Sequence, residues 1–242
     1  MTGEPMAYEI TAICKAPASP ETDNLPRKNI VLPPLPILTN EQQEDRIARH
    51  DIAQRLMSKK LGFETGQLFI GTRFGKPSSL SNNRSKALAK LDSSVTIAEH
   101  LRKRIMILFS GVMSDVQYFE KLVNFEMKKA HLDSIYNSGV PDGSWLTDKD
   151  KIEELLVALC GIEYEPGESY QRLVDQMNDT YSELYRAMLS IFDSFAEKLP
   201  ILADLAIKES WNRGRLIVSD ERLVDLEAEA DTLLRKKLSP RE

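Results

Sequence analysis

The chain has 242 residues, of which 42% are hydrophobic and 29% are charged, and its formal net charge is −5. This composition is typical of a folded globular protein and excludes wholesale disorder. Glycine is scarce, with 11 residues, and helix-forming residues are abundant, so the sequence predicts an all-α fold.

Targeting and redox signals indicate an intracellular protein. The first thirty residues lack the basic start and the apolar run of a secretory signal, and uninterrupted apolar runs such as residues 105–109 are too short to span a bilayer. The two cysteines, Cys14 and Cys160, match no metal-binding or redox spacing, which favours free thiols in a reducing compartment. We therefore expect a soluble protein in the cytoplasm or another intracellular compartment.

Residues 1–38 are predicted to form an extended, proline-rich arm. Six prolines between positions 17 and 36 block helix formation and favour extended or polyproline II backbone. The end of the arm is too apolar for a free linker, so we expect it to dock in a groove on its own core or on a neighbouring molecule. The candidate docking residues are Ile30, Val31, Leu32, Pro33, Pro34, Leu35, Pro36 and Ile37.

Residues 39–242 are predicted to form one helical domain, a bundle built on two long helices. A capped helix starts at Thr39 and stops at Gly62. Residues 62–93 then lose the helical period and form a glycine- and serine-rich basic insertion, with a short extended piece at residues 67–74.

The two long helices are indicated by apolar residues that recur at three- and four-residue steps. The first is predicted to run from about Val95 to Tyr136. The second carries a heptad-like repeat over residues 170–195, which suits a bundle core or a coiled-coil-like pairing.

Shorter helices are predicted around these two. Thr147 caps one of them, and Asp148 is interpreted as a helix-start charge. A helix after Pro200 is predicted to continue through Trp211, and a last helix starts after Ser219.

The charge distribution is uneven along the chain. Residues 59–104 contain ten Lys and Arg but three Asp and Glu, although the whole chain is acidic. Cations and aromatics on a glycine-rich backbone can follow phosphates and stack on bases, so this segment is the candidate contact with DNA, RNA or another polyanion. The competing interpretation is that the segment neutralises acidic helices of its own chain or of a neighbour. The candidate nucleic-acid-binding residues are Lys59, Lys60, Arg73, Phe74, Lys76, Arg84, Lys86, Lys90, Arg102, Lys103 and Arg104.

The chemical motifs argue against an enzyme. The stretch FIGTRFGKPSS, residues 69–79, resembles a phosphate-binding loop, but it is one residue short between its glycines, and Pro77 stands where a metal-binding hydroxyl is needed. The pair His50-Asp51 occurs in helical metal phosphohydrolases, but no histidine precedes it here, so a solvated helix face is expected. Neither Glu-x-x-His nor His-x-x-x-His occurs. We therefore predict no catalytic residues, no metal site and no cofactor.

Taken together, these features predict a non-enzymatic helical assembly protein, a subunit of a multi-copy or nucleoprotein complex without membrane contact. The basic segment would contact nucleic acid or another polyanion, and the arm would reach other protein subunits. One alternative is a protein-only scaffold or adaptor, whose basic segment pairs with acidic helices of a partner. The other alternative is an enzyme whose site is assembled from scattered residues without a recognisable motif.

Overall fold

The computed structural model describes residues 33–73, 76–79, 91, 93–140, 146–164, 170–209, 211–212 and 215–238. This part of the chain is mostly helical, which confirms the mainly α prediction. None of its helices is long and apolar enough to cross a membrane. In chain order, the elements are α1 (Asn40–Lys60), β1 (Leu68–Arg73), β2 (Lys76–Ser79), α2 (Ser94–Leu122), α3 (Lys129–Asn137), α4 (Asp148–Ile162), α5 (Tyr170–Phe192), α6 (Lys198–Ile207), β3 (Trp211–Asn212), β4 (Arg215–Val218) and α7 (Asp220–Leu238).

The first helix, α1, is buried on all of its faces over most of its length. Thr39 caps its start, because the Gln42 N–H donates to the Thr39 hydroxyl and the Gln42 side chain accepts from the Thr39 N–H. Gly62 follows its end with a φ of +78°, the left-handed conformation that favours glycine. Between these ends, every one of residues 46–58 except Arg49 is buried. Both predicted boundaries of this helix are therefore confirmed.

The first long helix is shorter than predicted. α2 ends at Leu122, because Val123 adopts extended backbone with φ −93° and ψ 152°. A separate helix, α3, then begins, where the Lys128 N–H donates to His131 Nδ1 over 2.9 Å. The apolar pattern in the sequence does not reveal this break, because Met127, in the connection between the two helices, is buried as well.

Two short hairpins form an antiparallel sheet that the all-α prediction did not include. Its strand order is β2-β1-β4-β3. β1 confirms the extended piece predicted within residues 67–74. The helix predicted to continue through Trp211 is wrong, since α6 ends at Ile207 and Trp211 lies in β3, which pairs with β4.

The sheet joins the glycine-rich insertion to the C-terminal part of the chain. Leu68 pairs with Val218 and Ile70 pairs with Leu216, and all four side chains are buried in the common core. Between the two buried residues of β4, Ile217 is exposed, as the two-residue alternation of a half-buried strand requires. The β1–β4 pairing therefore makes the start of the insertion part of the fold.

The helix α5 contributes its predicted apolar repeat to the core. Tyr181, Leu184 and Met188 of this repeat are buried. Phe109 of α2 meets Tyr181 and Tyr185 edge-on, with ring centroids 4.8 and 5.5 Å apart, an arrangement that aromatic pairs favour. The two long helices therefore contact each other through aromatic side chains.

Residues 33–38, the described end of the segment predicted as an arm, contact the core at several points. Leu35 and Leu38 are half-buried against it, and the Pro33 carbonyl accepts a 2.8 Å hydrogen bond from His131 Nε2. Because His131 Nδ1 already accepts from a backbone N–H, its ring proton lies on Nε2. Ile37, by contrast, is 98% exposed. Pro34 and Pro36 are also exposed, and the candidates Ile30, Val31 and Leu32 lie outside the described residues.

Truncating a core residue of the sheet tests its placement. Ile70→Ala is expected to lower the free energy of unfolding by about 2–4 kcal/mol, because the side chain is fully buried. Ile217→Ala, on the exposed side of the neighbouring strand, is the matched control and should change it by no more than about 0.5 kcal/mol. Urea unfolding followed by circular dichroism measures both, and equal losses would contradict the assigned faces.

Candidate functional site

The central position of α1 places polar side chains inside the core. The expectation of a solvated face at His50 and Asp51 is wrong, because these residues are 2% and 4% exposed. Buried polar groups must find partners within the protein, since desolvation without a partner is costly. Asp51, for example, accepts a 2.8 Å hydrogen bond from the Ser79 hydroxyl of β2. The buried polar residues of α1 are Arg46, His50, Asp51, Gln54, Arg55 and Ser58.

His50 lies between two carboxylates from two other helices. Its Nδ1 is 3.2 Å from Oδ2 of Asp115 on α2, and its Nε2 is 2.9 Å from Oδ2 of Asp148 at the start of α4. Asp148 does stand in the first turn of α4, as predicted, but the residue is 1% exposed and its carboxylate contacts His50. One imidazole therefore connects α1, α2 and α4.

Three further donors contact the two carboxylates. Arg46 Nη2 donates to Asp115 Oδ2 over 2.9 Å, and Gln54 Nε2 donates to Asp148 Oδ2 over 2.6 Å. Lys151 Nζ lies 3.2 Å from the other oxygen of Asp148. Two acids thus meet two buried cations, with a third cation at the edge. We call Arg46, His50, Gln54, Asp115 and Asp148 the His50 cluster.

The His50 cluster holds its histidine in the charged form. Burial alone would lower the pKa of His50, but Asp115 and Asp148 outweigh burial and raise the pKa to about 10. Burial would likewise raise the pKa of Asp115, yet Arg46 and His50 hold it below its usual value. His50 is therefore an imidazolium at neutral pH. Gln54 Nε2 and His50 Nε2 also lie 3.1 Å apart. Because both nitrogens donate to Asp148, they do not hydrogen-bond to each other.

This protonation state determines what the cluster can do chemically. An imidazolium with both N–H groups bonded to carboxylates has no lone pair to offer a metal ion or to abstract a proton. Within the described residues, no group of three or more His, Cys, Asp or Glu is arranged to hold a metal ion. The His50 cluster is therefore a closed set of ion pairs that fixes three helices against one another.

Gly111 allows α2 to approach this cluster closely. A Cβ at this position would lie 2.7 Å from His50 Nε2 and 2.8 Å from Gln54 Nε2, which is closer than real contacts of such atoms. Any larger residue would displace the imidazole or the amide. The glycine thus sets the distance between α1 and α2 at the point where His50 reaches Asp115.

A second polar cluster connects the end of α1 to α7. Arg55, which is buried, donates through Nε to Glu227 Oε1 over 3.0 Å and through Nη1 to Asp220. Its Nη1 also donates to the Gly66 carbonyl over 2.7 Å. Burial raises the pKa of Asp220, but Arg55 more than offsets this and holds the pKa below its usual value. Arg55 therefore ties the two ends of the helical domain together.

The described cations of the basic segment mostly meet acids of the same chain. Lys59, Arg102 and Lys103 each form an ion pair, with Glu227 at 2.5 Å, Glu163 at 2.9 Å and Glu99 at 2.7 Å, respectively. Arg104 is half-buried, and burial lowers its pKa while Asp148 opposes that shift. Lys60 is exposed.

The remaining candidates of the basic segment lie at or beyond the β1–β2 hairpin. Arg73 is the register partner of Lys76, in the last pair of the hairpin. Phe74, Arg84, Lys86 and Lys90 lie outside the described residues. The structure therefore brings none of these candidates together with Lys59 or Arg102 through a described contact.

The His50 cluster left two signals in the sequence that motif searches do not use. Arg46, His50 and Gln54 are spaced four residues apart, which places them on one face of α1. Asp115 is the single acid within the apolar stretch of α2 from Ile105 to Val116. An acid in such a stretch needs a buried cation, so its presence indicates an internal ion pair.

The charged state of His50 predicts a stability loss at alkaline pH. Because its folded pKa of about 10 lies above the ordinary 6.5, its contribution is complete below pH 6.5 and is lost as the pH rises towards 10. The free energy of unfolding should fall by at most about 1.4 kcal/mol per pH unit over this range, and His50→Gln should remove that slope. Urea unfolding between pH 6 and 10 measures it. A neutral imidazole in ¹⁵N NMR spectra at pH 8 would contradict the prediction.

Filling the close approach at Gly111 should destabilise the fold. Gly111→Ala is expected to lower the free energy of unfolding by about 1–3 kcal/mol, because the clash with His50 exceeds the roughly 1 kcal/mol gained from helix propensity. Gly161→Ala in α4 is the matched control, since its Cβ would meet nothing within 4 Å and should add up to about 1 kcal/mol. Thermal unfolding of both variants decides the matter, and stabilisation by Gly111→Ala would refute the close contact.

The buried charges of α1 are bonded within the core, and Lys59, Arg102 and Lys103 pair with acids of the same chain. The chain matches no protein-family model, and no curated protein or solved structure is significantly similar to it.

Proposed function

We propose that the protein is a non-enzymatic helical binding protein, a subunit of a multi-copy or nucleoprotein complex, whose basic hairpin contacts a polyanion. The His50 cluster supports the non-enzymatic part, because its acids and cations are bonded to one another inside the core. Its charges therefore serve the fold. Groups at the surface would then bind the polyanion.

The observation that carries the polyanion contact is the register of the β1–β2 hairpin. Arg73 stands directly opposite Lys76. Like-charged residues at opposed positions generally destabilise a hairpin, and a bound polyanion would offset such an effect. The sequence also has Phe74 between the two cations, and aromatic side chains are the usual stacking surface for unpaired bases.

The ion pairs of the other cations reduce the set of residues that we propose to contact the polyanion. Lys59, Arg102 and Lys103 already meet carboxylates of their own chain, and phosphates would have to displace those partners. We therefore assign the contact to the hairpin and the adjacent basic residues of the insertion, Arg84, Lys86 and Lys90. The paired cations stabilise the fold in this proposal.

A protein-only adaptor is the second candidate, and Ile37 favours it. This side chain is 98% exposed, although Leu35 and Leu38 on either side of it pack against the core. An apolar side chain held outwards on an anchored segment suits insertion into a pocket of a partner protein. In this candidate the arm, and not the hairpin, makes the principal contact.

Gel shifts with single- and double-stranded DNA and with RNA across a salt series test the polyanion contact. The wild type is expected to retard nucleic acid at low salt, and the double variant R73Q/K76Q should reduce the slope of log affinity against log salt by about 2. Lys103→Gln is the matched control, because this lysine is paired with Glu99, and it should leave the slope unchanged. No retardation at low salt would remove the polyanion contact and leave the adaptor.

A further inference from the structure

A groove that shares no residue with the basic hairpin opens between α1, the second half of α2 and the start of α6. Its volume is about 360 Å³, within the range of small-molecule sites. A second lobe of about 570 Å³ shares Gln117, Lys121 and Pro200 with it. We call the 360 Å³ space the α2–α6 groove.

Three of the four charged residues along the α2–α6 groove belong to one ion-pair network. Arg49 of α1 donates to Asp45 over 2.8 Å and to Asp204 of α6 over 2.5 Å. Its guanidinium also lies 6.0 Å from the ring centroid of Tyr118. These three charged residues form a bridge from α1 to α6. Lys121 is the remaining charge that lines the groove, and it has no carboxylate partner among the described residues.

The groups that could hold a ligand lie on one face of α2. Ser114, Gln117 and Lys121 follow one another at three- and four-residue steps and all line the groove. Ser114 is 1% exposed, and its Oγ has no hydrogen-bond partner in the described structure. A buried hydroxyl without a partner is unfavourable, so it calls for a group that would bond it.

The geometry points to a medium-length aliphatic carboxylic acid with a second oxygen near its far end. Its carboxylate would meet the Lys121 ammonium and the Gln117 amide, because this end of the groove has the unpaired positive charge. Ser114 lies seven residues from Lys121, about 10 Å along the helix, and its hydroxyl would donate to the far oxygen. The aliphatic chain would lie against the apolar wall of Leu122, Leu199 and Pro200.

Isothermal titration calorimetry with two probes, octanoate and 7-oxooctanoate, tests this site. The wild type is expected to bind 7-oxooctanoate saturably and more tightly than octanoate, which lacks the far oxygen. Lys121→Met should weaken 7-oxooctanoate binding about tenfold or more, because it removes the charge that meets the carboxylate. Lys237→Met is the control, since Lys237 lines only the second lobe, and it should leave the affinity unchanged.

Ser114→Ala separates a binding role from a structural one. It should abolish the preference for 7-oxooctanoate over octanoate, while its melting temperature should stay the same or rise, because an unsatisfied buried hydroxyl is removed. No saturable binding of 7-oxooctanoate to the wild type would overturn the proposal, as would binding that Lys121→Met leaves unchanged. A preference that survives Ser114→Ala would overturn the role of its hydroxyl. The results of these titrations do not depend on whether the basic hairpin contacts a polyanion.

Discussion

The fold depends on neutralising a charged helix in the centre of the protein. α1 is buried along most of its length, so its cations and acids must find partners inside the core. Removing one partner from a buried ion pair leaves an uncompensated charge, which typically costs 3–5 kcal/mol. Here Asp115 and Asp148 are both held by His50, and the positions of three helices follow from the geometry of one imidazolium. A neutral side chain of the same size could not satisfy both acids.

The two polar clusters of α1 fix different parts of the structure. The His50 cluster fixes the first half of α1 to α2 and α4, while Arg55 fixes the second half to α7 and to the Gly66 carbonyl before β1. Lys59 extends the second cluster through Glu227, which anchors the start of the basic segment to the C-terminal helix. Part of the unusual charge of this segment is therefore a structural requirement, and the proposed recognition of a polyanion uses the rest.

Local signals in the sequence predicted those structural features that depend on residues a few positions apart. The cap at Thr39, the stop at Gly62 and the apolar repeat within residues 170–195 depend on neighbours a few residues away. The burial of His50 could not be predicted in this way, because it follows from helices that surround α1 on every side. Likewise, β4 is too short to identify without β1, to which its alternating residues are complementary. The unpaired hydroxyl of Ser114 also becomes apparent only after α1, α2 and α6 are assembled.

The pairing of β1 with β4 has a consequence for how the chain acquires its structure during synthesis. Leu68 can pair only after Val218 has been synthesised. Arg55 can bond Glu227 only after a further 172 residues have been added to the chain. Until residues 216–227 have been synthesised, Arg55 lacks its carboxylate partners, and β1 lacks its neighbour β4. Such long-range contacts slow folding and expose unpaired strand edges. The contacts of α1 with α7 and of β1 with β4 can therefore form only late in synthesis, after most of the other helices are available.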